Sequence, residues 1–221
     1  MALSEGRKRA DGRQLVQTYA GHWSEADRPL DSPPIGINHL VDAEALEFAR
    51  QLGEVAQADA GLKQVGARAE VAVQKLQLAR RWTHRAATIA SLPEFEDDPD
   101  FAFASMYQAF QDAADALLCA HGWRPGGERA HQRTFQLAAA GLFLVNPGVA
   151  ALLRENERTL RQARREIAYD RTDVVSRRDL LDIFALAAQV LPALARRTCA
   201  VIDLSPVPAE FDEWAIPELV G

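Results

Sequence analysis

The stretch FAFASMYQAFQDAADALLCAHGW, residues 101–123, sets the tightest limit on what this chain can fold into. It has no proline, and no glycine before Gly122, so the residues predict one long helix, with Asp100 as its expected N-cap. Its small residues, together with Phe103, Phe110, Leu117 and Leu118, predict close packing against neighbouring helices. The rest of the chain must supply those neighbours.

Helical periodicity recurs on both sides of this stretch. Leu46, Ala49, Leu52, Val55 and Ala56 fit one apolar face of a helix that Gly61 ends. Leu62, Val65, Ala69, Ala72, Leu76, Ala79 and Ala86 trace the face of a second, which is expected to start at Leu62. After the loop RPGGERA a fourth helix is expected near Arg129, and NPG (146–148) separates it from a fifth. Ser176 and Asp179 form a capping-box start for a sixth, and Pro192 is expected to kink that helix or end its regular part.

Alanine and leucine dominate, aromatics are few, and 48% of the 221 residues are hydrophobic. This balance favours helices and suffices for a core. The reading is an all-α, antiparallel helical bundle over residues 42–198. An irregular arm precedes it over 1–41, and an acidic proline-containing tail follows over 199–221.

The formal net charge of −6 argues against a globally basic nucleic-acid binder but allows a local basic patch. The two cysteines stand apart, and the five histidines lack HExxH or HxxxH spacing, so no metal site and no cofactor is expected. Neither a signal peptide nor an apolar run of membrane-spanning length is evident, which predicts a cytoplasmic protein without membrane attachment.

The expected fifth helix carries the chemistry. Arg154, Arg158, Arg161 and Arg165 are spaced four, three and four apart and fall within about 60° of one another on a helical wheel. Val149, Leu152, Leu153, Leu160, Ala163 and Ile167 gather opposite, with Arg164 at the border. Such a stripe is either a solvated face partly neutralised by Glu155, Glu157 and Glu166, or a surface for phosphate, to which guanidinium binds bidentately.

The segment RTLRQARREIAYD (158–170) resembles the C-terminal motif of HEPN-domain proteins, an arginine followed after four to six residues by histidine, or by tyrosine in one branch. Arg164 and Tyr169 take those positions here, and Arg165 stands where asparagine often follows the arginine. Upstream, Tyr107, Phe110, Ala113, Ala114, Ala116, Leu117, Leu118, Gly122, Arg124, Pro125, Gly127 and His131 keep a second pattern similar to that family's. VVSRRDLLDIFALAAQVLPAL (174–194) is similar to its closing helix, and the resemblance spans about residues 62–198.

The resemblance implies a helical bundle that homodimerises, in a toxin–antitoxin or defence system. Its ligand would be RNA or a nucleotide phosphate, and its activity that of a metal-independent endoribonuclease. The alternative implied is a catalytically silent dimerisation or adaptor module that docks a partner protein such as a nucleotidyltransferase.

Cleavage of RNA through its 2′-OH needs a proton acceptor, a proton donor and positive charge on the phosphate. Arg164 suits the last need, with Arg161, Arg165, Arg158 and Arg124 as further phosphate-binding candidates. Tyr169 is a poor base at neutral pH, so His131 is the candidate imidazole, set against its simpler reading as a locally packed helix-end residue. Tyr107 reads as a packed core aromatic. The tail bears Asp203, Glu210, Asp212, Glu213 and Glu218, with Phe211 and Trp214 as docking anchors. It is expected either to cover the arginine stripe or a partner's basic surface, in competition with nucleic acid, or to remain a solvated extension.

Overall fold

The computed structural model describes residues 15–17, 23–25, 43–58, 61–92, 99–127, 129–168, 174–204, 206–212, 214 and 216. The chain divides into two compact units, residues 1–34 and 35–221. Within the first, β1 (Leu15–Gln17) and β2 (Trp23–Glu25) pair antiparallel, with Val16 opposite Ser24.

The second unit is all-α apart from a short ribbon. Its helices are α1 (Ala43–Ala58), α2 (Ala69–Ala90), α3 (Asp100–Ala120), α4 (Ala130–Phe143), α5 (Pro147–Ala168), α6 (Arg177–Val201) and the single turn α7 (Ala209–Asp212). The ribbon joins β3 (Leu62–Gln64) to β4 (Trp123–Pro125), with Lys63 opposite Arg124. No described helix is long and apolar enough to cross a membrane.

Helix α3 is the axis of the fold. Sixteen of its 21 residues are buried, which leaves almost no solvated face, and it packs against α2, α4, α5 and α6. Alanines at 102, 109, 113, 114, 116 and 120 let those neighbours approach, while Phe103, Phe110, Leu117 and Leu118 fill the spaces between them. The start of α2 lies at the end of α3, where Val65 N donates to Gly122 O at 2.8 Å and Arg68 N to Cys119 O at 3.3 Å, so the two helices run antiparallel. Helix α6 starts beside the start of α3 and runs with it.

That second junction corrects the expected cap. Asp100 does not cap α3. Its buried carboxylate accepts from Val174 N at 3.4 Å and Val175 N at 2.9 Å, fixing the entry to α6. The α6 cap itself is as expected: Ser176 and Asp179 form a reciprocal capping box. Pro192 lies inside α6, which continues to Val201 between the buried Leu191 and Ala193.

Leu62 opens a strand rather than α2. Gly66, at φ +79°, turns the chain between the ribbon and the helix, and Gly122 has the same φ of +79° on the facing turn. A side chain at Gly122 would lie 2.6 Å from Ala67 N and 2.7 Å from Gly66 C, so only glycine lets the two turns touch. On α1, Phe48 enters the core with Leu52 while Val55 faces solvent.

The tail anchors do not lie on the arginine stripe. Phe211 is fully buried in a corner formed by Leu76 of α2, Ala116 of α3, and Ala195 and Cys199 of α6. Trp214 packs beside it and donates from Nε1 to Phe211 O at 2.9 Å.

Candidate functional site

Three residues on α3, Tyr107, Gln111 and Asp115, follow one another at intervals of four and so form one line along the helix. Helix α4 lays His131 and Thr134, from its first two turns, against that line. Helix α5 brings Glu157, Arg161 and Arg164, and α2 contributes Lys75 from behind.

Tyr107 is the hub. Its ring packs edge-on against Phe135, with centroids 5.6 Å apart, and lies tilted beside His131 at 6.5 Å. Burial pushes the phenol up to about 12, opposed by the guanidiniums of Arg161 and Arg164 and assisted by Glu157 and Asp115. At neutral pH it is therefore a hydroxyl group, a hydrogen-bond donor and not a base.

A polar network runs from this hub towards α2. His131 Nδ1 lies 2.9 Å from Gln111 Oε1, and Gln111 Nε2 donates to Asp115 Oδ1 at 3.4 Å. The Thr134 hydroxyl lies 3.1 Å from the same Asp115 oxygen and 3.1 Å from Ala130 O, the two acceptors open to its one proton. Lys75 Nζ donates to Asp112 Oδ1 at 2.7 Å and to Asp115 Oδ2 at 3.5 Å. Burial works against the Lys75 charge, yet Asp115 and Asp112 outweigh it and hold the ammonium above the usual lysine range. Burial likewise raises the Asp115 carboxyl, against the pull of Lys75. Cys119, one turn beyond Asp115, has its thiol pushed up to about 11 by burial, which makes it a poor nucleophile.

The predicted site residues divide. Arg161 and Arg164 both act on Tyr107, and His131 joins them through the same ring. Arg161 leaves the outer stripe: its Nε donates to the buried Glu157 carboxylate one turn earlier. Arg164 is half-buried, and no hydrogen bond or ion pair joins it to another described residue. Arg158 and Arg165 are exposed on α5. Arg124 lies apart, exposed on β4 opposite Lys63. Tyr169 lies outside the described residues.

Sequence reasoning passed over Gln111, Asp115 and Lys75 and took Tyr107 as a packed aromatic with its hydroxyl directed to a partner. The available signal was the four-residue spacing of Tyr107, Gln111 and Asp115 within an otherwise apolar helix. A solvated face would place such residues outward, whereas here Tyr107 and Gln111 are each 5% exposed. Among the described residues, no group of three or more His, Cys, Asp or Glu side chains is arranged to hold a metal ion. The arrangement thus offers a phenol donor beside an imidazole, with the charges of two guanidiniums bearing on the phenol and a polar network behind the imidazole. Compared with family models, with curated proteins and with solved structures, the chain matches none.

Proposed function

We propose that this chain is a HEPN-like protein of a toxin–antitoxin or defence system that holds RNA or a nucleotide phosphate at Tyr107, with metal-independent endoribonuclease chemistry as its activity. The observation that carries the reading is the His131 ring of α4 beside Tyr107, whose phenol also feels the charges of Arg161 and Arg164 from α5. Sequence resemblance supplies the family, and this arrangement supplies a chemistry that fits it.

In this reading Arg164 takes the phosphate, as a charge-assisted hydrogen-bond donor with no competing protein partner among the described residues. The Tyr107 hydroxyl donates a second hydrogen bond. His131 Nε2 accepts the proton of the RNA 2′-OH, whose oxygen attacks phosphorus. The bond to the 5′-oxygen breaks, and that oxygen takes a proton from the imidazolium or from water. Arg161, held by Glu157, adds positive charge without direct contact. A homodimer would set two such clusters on one ligand; its expected signature is a doubled mass by light scattering at micromolar concentration.

The test is cleavage and binding of mixed RNA by the purified protein in EDTA. His131→Ala should abolish cleavage and leave binding nearly unchanged. Arg164→Ala should weaken binding at least about tenfold, the loss of a charged hydrogen bond of about 1.5–3 kcal/mol. Arg158→Ala should change it less than about threefold. Equal losses from Arg158→Ala and Arg164→Ala would leave only a generic basic face.

A second reading has one observation in its favour: tyrosine stands at 169, where the motif of the active branch has histidine. The bundle would then be a silent dimerising adaptor for a partner such as a nucleotidyltransferase. Intact RNA after prolonged incubation, with partner binding unaffected by His131→Ala, would favour it.

A further inference from the structure

The Gln111 amide is oriented by what lies on its far side. Its nitrogen faces Asp115 Oδ1 at 3.4 Å, an oxygen that also lies 3.1 Å from the Thr134 hydroxyl. Reversing the amide would set its carbonyl against the carboxylate, two acceptors facing each other with no proton between them. Burial raises the Asp115 carboxyl, and Lys75, 3.5 Å from its other oxygen and itself held charged, opposes that shift. With the amide so fixed, its carbonyl oxygen points at His131 Nδ1 from 2.9 Å. A carbonyl can only accept, so Nδ1 must be the donor.

We propose that Gln111 is a positioning residue that holds His131 in the Nδ1–H tautomer, so that Nε2 carries the lone pair and is presented as the proton acceptor of the Tyr107 site. Asp115 acts one step further back by fixing the amide of Gln111. An imidazole in water favours the opposite tautomer, with the proton on Nε2, which could donate to a 2′-OH but not deprotonate it. The tautomer therefore decides whether His131 can serve as a base at all. This inference rests on the functional reading above for its consequence, but not for its physical content. His131, Gln111 and Asp115 are joined by hydrogen bonds whether or not RNA is the ligand.

The experiment is a long-range ¹H–¹⁵N correlation of the imidazoles in the uniformly ¹⁵N-labelled full chain, at a pH where His131 is neutral. The His131 signals are assigned by their loss in His131→Gln. The expected result is a protonated, pyrrole-type Nδ1 and a pyridine-type Nε2. Gln111→Leu, close in shape, should return His131 to the Nε2–H form. Gln111→Glu, still an acceptor, should keep the Nδ1–H form. Asp115→Asn, which no longer dictates the amide orientation, should give a mixture. An Nε2–H tautomer in the unmodified chain, or an Nδ1–H tautomer that survives Gln111→Leu, overturns the proposal.

The catalytic consequence is read separately. Gln111→Leu should lower kcat for RNA cleavage at least tenfold with KM changed less than about twofold, and Gln111→Glu should restore most of it. A correct tautomer in a protein that neither binds nor cleaves RNA would remove the functional reading and leave the positioning intact.

Discussion

Replacing Phe211 by alanine tests whether the tail is part of the bundle. The ring is fully buried and touches Leu76, Ala116, Ala195 and Cys199, three of them too small to move into the space it leaves. Phe→Ala at such a site costs about 3–5 kcal/mol, the transfer of the ring plus the cavity left behind. The upper end is expected, since helices α2, α3 and α6 meet there and cannot collapse independently. Stabilities of about 5–15 kcal/mol are usual for a domain, so the loss would be a large fraction of the whole. With a urea dependence of about 2–3 kcal/mol per molar, the midpoint should fall by about 1–2 M. The transition is followed by far-UV circular dichroism and by the fluorescence of Trp214, whose indole is tied to the Phe211 carbonyl. Phe211→Leu, which keeps most of the volume, should cost much less. A midpoint within about 0.3 M of the unmodified chain would refute the docking. If Phe211→Ala instead left stability intact and strengthened RNA binding, the tail would be covering the α5 stripe after all.

Two further outcomes follow from the same geometry. Gly122→Ala forces a left-handed φ of +79° on a residue with a Cβ and drives that atom to within 2.6 Å of backbone. The thermal midpoint should fall by at least about 5 °C, from about 2 kcal/mol or more, whereas Gly127→Ala, with equal backbone sign but open space, should cost less. Tyr107 has its phenol pushed up to about 12 against 10.0 when exposed, so the folded state favours the protonated form. The sign is then fixed: stability is unaffected below pH 10 and falls by about 2–3 kcal/mol as pH rises through 12. Tyr107→Phe should remove that part of the alkaline loss; an identical alkaline profile would show that the hydroxyl is not buried in this way.

What was legible in the sequence was what short-range chemistry decides. The α6 start was readable because Ser176 and Asp179 satisfy each other within four residues. The existence of α2 to α6 was readable from apolar periodicity. Leu62 was misread because Leu62, Val65 and Ala69 suit a helix face as well as a strand followed by a turn. What decides between them is pairing with Trp123–Pro125, sixty residues on, and a glycine at positive φ. Asp100 fails as a cap for the same reason: its partners are 74 and 75 residues away. Phe211 and Trp214 were recognisable as anchors because aromatics in an acidic segment need a dry surface. Which surface depends on where alanines 116 and 195 leave a gap, and no local pattern records that.

The buried polar line on α3 bears most directly on function. Gln111, Asp112 and Asp115 lie in a helix otherwise committed to alanine, leucine and phenylalanine, and Lys75 pairs with the two carboxylates. Such groups contribute little net stability, since desolvation offsets their hydrogen bonds and an apolar replacement of similar volume is often as stable or more so. They lead through Gln111 and Asp115 to His131, which lies beside Tyr107, and there a fixed orientation matters more than stability. A surface arginine stripe needs no such backing, because flexible guanidiniums find phosphates unaided. A buried network aimed at one imidazole has a purpose only if the position of that imidazole matters.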